Sequence, residues 1–214
     1  MRSWAAITLA ALLLASPGAA TAGVIHGHLL PGKEAGSSKG IRWGITDAVI
    51  YVEEVPEAVE RKLARRGFWI FGSSRPRLWN IVLQQRRFDP QVLAAAVGDQ
   101  LGFSNLDRVY HHAFSVSAAR SFDLGKRLPG QCDTLTLERP GVVNLHCEIH
   151  PDMAGYVVVT PNHAFTLPDA DGLFRLPPLP AGTYAVRVFH PRWGQIRRSV
   201  EVARRGDVEL NLNF

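Results

Sequence analysis

Asn144-Leu145-His146-Cys147-Glu148-Ile149-His150-Pro151-Asp152-Met153-Ala154-Gly155-Tyr156-Val157-Val158-Val159 sets a thiol, an imidazole and a thioether at Cys-x-x-His-x-x-Met spacing between two apolar runs. Upstream, Val143, Leu145 and Cys147 alternate with Val142, Asn144 and His146. That is the period of a half-buried strand, and it turns the thiol toward the core. Downstream, Tyr156 to Thr160 is a strongly β-prone run. A thiolate, an imidazole and a weak axial thioether are three of the four groups in the donor set that selects copper for electron transfer. The missing imidazole has to come from elsewhere, and Tyr110-His111-His112-Ala113-Phe114-Ser115 offers two candidates, His111 and His112.

The rest of the chain reads as short strands separated by Gly, Pro and Asp turns, which makes the fold class all-β. Ahead of the His111 segment, Trp79 to Gln84 is a strand, and Phe88-Asp89-Pro90 leads into Val92 to Val97. Leu101 and Phe103 point inward, Ser104-Asn105-Leu106-Asp107 turns the chain, and Phe114 and Val116 begin another alternating run. Thr134 to Leu137 is a strand, and Cys132 stands beside it in a Gly-Gln-Cys-Asp turn. A bridge from Cys132 to Cys147 would consume the thiolate, so Cys132 is read as a bystander. Near the start, Val24 to Leu30 and Asp47 to Val55 are strands. Pro56 to Arg66 is one short helix, with acids early, bases late and Gly67 just past its end. Gly67 to Arg77 is a connector.

After Pro161, Asp169-Ala170-Asp171-Gly172 is a turn without the oxygen ligands of a calcium loop. Leu173 to Leu176, the run Tyr184-Val186-Val188, Val200 with Val202, and the alternation Val208-Leu210-Leu212-Phe214 are further strands. His190 shares the inward register of Tyr184 and is expected as a hydrogen-bonded core histidine; His26, His28 and His163 are expected at the surface. His146 faces away from the thiol, and Glu148 puts a negative charge inside the loop that disfavours reduction slightly.

The chain of 214 residues carries 24 Lys and Arg against 19 Asp and Glu, a formal charge of +5 that suits an acidic partner. It has neither a nucleic-acid motif nor the signatures of a serine hydrolase, a zinc protease or a phosphate loop. With four ligands accounted for and no second His cluster, the expectation is a carrier rather than an enzyme. Met1 to Ala22 reads as a signal peptide: Arg2, an apolar stretch from Trp4 to Ala15, and Ala20-Thr21-Ala22 as the cleavage site. The mature chain is then periplasmic or secreted, with no transmembrane segment.

Two family resemblances follow from these residues. From about Trp79 to Thr160 the chain resembles the cupredoxins, nearest the amicyanin and plastocyanin kind, in the loop Leu145 to Val159. Phe88-Asp89-Pro90, Gly98-Asp99, Phe103-Ser104-Asn105 and His111-His112-Ala113-Phe114-Ser115 carry the same likeness. The chain is also similar to a plastocyanin-like group labelled methylamine utilization proteins. The resemblance implies a Greek-key sandwich over 78–160 that binds one type 1 copper ion through His111, Cys147, His150 and Met153. His112 then stands where cupredoxins carry an Asn that braces the two ligand loops, and an imidazole can donate the hydrogen bond such bracing needs. The implied partner is a c-type cytochrome or a dehydrogenase.

The second resemblance is split between the chain ends. Val24 to Leu29 with Ile45 to Val52, and Asp169 to Leu176 with Leu179 to Val188, resemble a carboxypeptidase regulatory-like, prealbumin-type sandwich. It implies a second small β-sandwich formed from 23–55 and 161–214, with a helix and connector over 56–77 and the cupredoxin unit inserted between the two halves. Two other functions stay open on the sequence: a copper-handling or sensing module without redox turnover, and a metal-independent envelope interaction protein.

Overall fold

The computed structural model describes residues 22–32, 43–65 and 76–214. Residues 1–21 of the expected signal peptide, 33–40 of the Pro31–Gly40 loop and 67–75 of the connector lie outside the described residues, as does the Gly67 expected to end the helix.

In chain order the elements are β1 (Ile25–Leu30), a 3-10 turn (Ile45–Asp47), β2 (Val49–Val52), α1 (Glu57–Ala64), β3 (Leu78–Gln84), β4 (Arg87–Asp89), β5 (Val92–Ala96), β6 (Gln100–Asn105), β7 (Ala113–Ser117) and β8 (Arg120–Asp123). There follow β9 (Cys132–Thr136), β10 (Gly141–Cys147), β11 (Ala154–Thr160), β12 (Phe165–Thr166), β13 (Leu173–Arg175), β14 (Gly182–His190), β15 (Gly194–Val202), β16 (Val208–Glu209) and β17 (Leu212–Asn213). Among the described residues the fold is all-β apart from α1 and the 3-10 turn. No described helix is long and apolar enough to cross a membrane.

The middle of the chain builds two facing sheets, β5-β11-β10-β7-β8 and β4-β3-β6-β9. Between them Ile81, Phe88, Leu101, Phe103, Val143, Leu145 and Val157 form a core that also contains Cys147 and Met153. In β10 the register is the expected one: Val143, Leu145 and Cys147 are buried, while Asn144 and His146 are exposed. In β7 the large apolar residues face out. Ala113 and Ser115 are buried, whereas Val116 is 80% exposed. The pairing with β10 explains this. Ala113 lies directly opposite Cys147, and directly opposed residues share a face.

The chain ends build two more sheets. One has β1 between β13 and the pair β16 and β17; the other runs β12-β2-β14-β15. Ile25, Leu29, Ile50, Val52, Leu179, Val186, Val188 and Leu212 fill the space between them. Leu63, the one buried residue of α1, belongs to this core and Val59 packs against it. β2 is shorter than the run Asp47 to Val55 because Ile45–Asp47 closes a 3-10 turn, with the Asp47 carboxylate accepting from the Gly44 N–H. The alternation at the C-terminus is split into β16 and β17. Between them the Asn211 side-chain oxygen takes the His28 N–H, and the Leu210 carbonyl leans over Gly27. A Cβ at Gly27 would stand 2.0 Å from that oxygen.

A third apolar cluster joins the two halves. Val92, Ala94 and Val158 on the outside of β5 and β11 meet Val49 and Phe189 of β2 and β14, with Trp43, Tyr51 and Tyr156 around them. Covered on both faces, β5 reads as an unbroken apolar run. Beside this cluster sits His163, which corrects its expected surface position. Its side chain is 8% exposed, Nδ1 faces the Glu60 carboxylate of α1, and Nε2 lies 3.3 Å from Asp99 between β5 and β6. Trp79 Nε1 donates to the other Asp99 oxygen at 2.8 Å.

Candidate metal centre

At one end of the middle sandwich, β7, β10 and the loop after β10 converge. Cys147 ends β10 on its buried face, and its neighbour His146 points outward onto Phe114, with ring centroids 5.6 Å apart. The backbone then turns: Glu148 N donates to the His112 carbonyl, and Met153 N donates to the His150 carbonyl at 2.9 Å. These bonds tie the loop to the His111 segment and set His150 and Met153 one turn apart. Met153 is 2% exposed and lies in the same apolar cluster as Cys147. The His111 segment is itself fixed by paired backbone bonds with Arg127, and Arg127 is held bidentate by Asp133.

Three predicted ligands come together. The Cys147 Sγ lies 3.8 Å from His111 Nδ1 and 3.7 Å from His150 Nδ1. The donor atoms of His111, Cys147 and His150 all fall within 4.8 Å of one another. Donors each about 2.0–2.3 Å from one ion, in trigonal or tetrahedral arrangement, would be separated by roughly 3.3–3.8 Å, so the two sulfur–nitrogen spacings fit a shared ion. Burial fits as well: His111 is fully buried and Cys147 is 4% exposed. Burial, then the nearby His111 and Arg86, holds the His150 pKa below the usual imidazole value. A neutral ring is the form that ligates.

His112 faces the other way. Nε2 meets Asp123 of β8 and Nδ1 meets Glu148 of the loop. The two neighbouring histidines therefore differ in role: His111 points into the donor cluster, and His112 joins β8 to the loop. Glu148, read from sequence as a bare charge near the site, is engaged by His112. Cys132 is exposed and free, and it opens β9 instead of lying in the preceding turn. His190 is fully buried, its Nε2 donating to the Gly44 carbonyl at 2.9 Å and its Nδ1 accepting the Arg192 N–H.

Sequence reasoning placed Asn105 and Asp107 in a turn and gave them no part in the site. Asn105 is buried; its side-chain amide donates to the Val109 and Arg127 carbonyls and its oxygen accepts the Asp107 N–H. The Asp107 carboxylate accepts from Gln85 N and Arg86 N and lies 2.8 Å from His111 Nε2. Burial raises its pKa, but those hydrogen bonds outweigh burial and keep the group below its usual value. The available signal was an Asx pair two apart, with the second member four residues ahead of a candidate ligand.

No family model matches the chain, and no curated protein matches it. Solved structures do. A copper-containing nitrite reductase from Thermus scotoductus SA-01 is 25% identical over 47% of this chain and 26% of its own, with a TM-score of 0.41. A reduced amicyanin variant is 22% identical over 53% of this chain and 98% of its own, with a TM-score of 0.36. A purple cupredoxin from Nitrosopumilus maritimus is 22% identical over 38% of this chain and 98% of its own, with a TM-score of 0.34. Each of these matches spans about half of this chain or less, and the first spans 26% of the reductase's own length.

Proposed function

We propose that this protein is a type 1 (blue) copper protein that carries single electrons outside the cytoplasm, with His111, Cys147, His150 and Met153 as ligands and His112 as the brace between the ligand loops. The observation that carries the reading is the convergence of Cys147 Sγ with the Nδ1 atoms of His111 and His150, with His111 and Cys147 buried. Copper bound there supplies a one-electron Cu(I)/Cu(II) couple, which soft sulfur and borderline imidazole donors together support. The chain's own part is rigidity and dryness. Cys147 is fixed at the end of a strand paired on both sides, and His111 by its bonds to Arg127. Cys147 and Met153 lie in the apolar core, so water is kept from the sulfurs.

The partner in this reading is a c-type cytochrome or a dehydrogenase, approached by a chain of mild positive charge. The sheets formed by β1, β2 and β12–β17 are, in this reading, a prealbumin-type module into which the copper unit is inserted. Reconstitution of the mature chain with Cu(II) tests the function. The expected result is an intense visible thiolate-to-copper band with a reversible potential, absent from Cys147→Ser. A colourless protein that binds Cu(I) alone would make it a copper handler, and no metal uptake would leave an interaction protein.

A further inference from the structure

The far nitrogen of His111 has a carboxylate behind it. His111 is fully buried, and its Nε2 lies 2.8 Å from Asp107 Oδ2. A carboxylate can only accept, so the proton between them resides on Nε2, and in the neutral ring that leaves the Nδ1 lone pair facing Cys147 Sγ. Asp107 is itself held in place. Asn105 takes its N–H, and its two oxygens receive the N–H groups of Gln85 and Arg86. Those two residues form the tight turn between β3 and β4, with φ of 54° and 56°, values that suit Asn-Gly far better than Gln-Arg. The carboxylate thus does two things: it holds a strained turn and it backs a buried imidazole.

We propose that Asp107 is a positioning residue that fixes His111 as the Nε2–H tautomer and strengthens Nδ1 as a donor, so that it biases the metal toward its oxidised state. The inference rests on the copper reading and extends it. A carboxylate sharing the Nε2 proton gives the ring imidazolate character, and a more basic nitrogen favours Cu(II) over Cu(I). Asp107 sets the potential without touching the ion, and it links the β3–β4 turn to the site.

The test uses the full mature chain in four forms: wild type, Asp107→Asn, Arg86→Gly, and Arg86→Gly with Asp107→Asn. Glycine takes the positive φ of residue 86 without strain, so the second pair lessens the turn's dependence on the carboxylate. Asp107→Asn is expected to weaken Cu(II) binding about ten- to a hundredfold. A tenfold loss of Cu(II) preference over Cu(I) raises the potential by about 59 mV. The rise persists in the Arg86→Gly background. In metal-free protein, imidazole nitrogen NMR reads His111 as Nε2–H in wild type and as a mixture in Asp107→Asn. An unchanged potential and an unchanged tautomer overturn the proposal, and so does a potential shift that vanishes in the Arg86→Gly background. Absence of the visible band in wild type would instead sink the copper reading, and the metal-free NMR would still decide the role of Asp107.

Discussion

Two regions of this molecule bury histidines, and they use the ring nitrogens in opposite ways. At the junction, His163 has a carboxylate on each nitrogen, Glu60 on Nδ1 and Asp99 on Nε2. Two acceptors require two N–H groups, so that ring is held as an imidazolium and its donor capacity is spent on joining α1 to the β5–β6 turn. At the end of the middle sandwich, His111 keeps a carboxylate on Nε2 alone, and its Nδ1, like that of His150, points at a thiol sulfur. A buried histidine whose second nitrogen faces other donors is arranged for an ion; one enclosed by acceptors is arranged for structure. His190 gives its Nε2 proton to the Gly44 carbonyl and takes the Arg192 N–H on Nδ1, so neither nitrogen is left for an ion.

Copper should separate the two regions most strongly. Free Cu(II) near a thousand times its dissociation constant adds about 4 kcal/mol of stability. For a chain of this size that is a rise in melting temperature of roughly 10 °C. His111→Gln should abolish the increment, and His163→Gln should retain it in full; loss of the increment in His163→Gln would break the distinction. Without metal the order reverses. Calorimetry should find His163→Gln less stable by about 1–3 kcal/mol, because one buried carboxylate loses its donor.

pH sharpens the same contrast. Burial opposes the charge on His163, but the bonds to Asp99 and Glu60 outweigh it and raise the pKa above the ordinary 6.5. A raised folded pKa means the contribution is complete below 6.5 and is lost as pH climbs through the folded value. Denaturant midpoints of metal-free wild type should therefore fall above pH 6.5 relative to His163→Gln, and parallel curves would contradict the ion-pair assignment. The smallest effect belongs to His146, exposed beside Phe114. His146→Ala should leave stability within about 0.5 kcal/mol and the visible spectrum unaltered.

What could be read from the chain followed from periodicity and local spacing. The alternation Val143-Leu145-Cys147 determined which way the thiol points, and Cys-x-x-His-x-x-Met placed His150 and Met153 one tight turn later. α1 was legible from its Pro, its charges and Leu63. Features made by tertiary contact were not. In β7 the alternation begun by Phe114 and Val116 does not say which face is buried; the inward side is Ala113 and Ser115, with Ala113 opposite Cys147. His163 looked like a surface residue because its partners lie 103 and 64 positions away. Asp107 and Asn105 looked like ordinary turn formers, since hydrogen bonds to Gln85, Arg86 and His111 leave no periodic trace.

The most direct measurement is copper X-ray absorption on the reconstituted protein, which counts the atoms bound to the ion and identifies the elements. One short bond to sulfur and two to imidazole nitrogen are expected, with the short sulfur bond missing in Cys147→Ser. A shell of oxygen and nitrogen alone in wild type, unchanged by that substitution, would contradict that expectation.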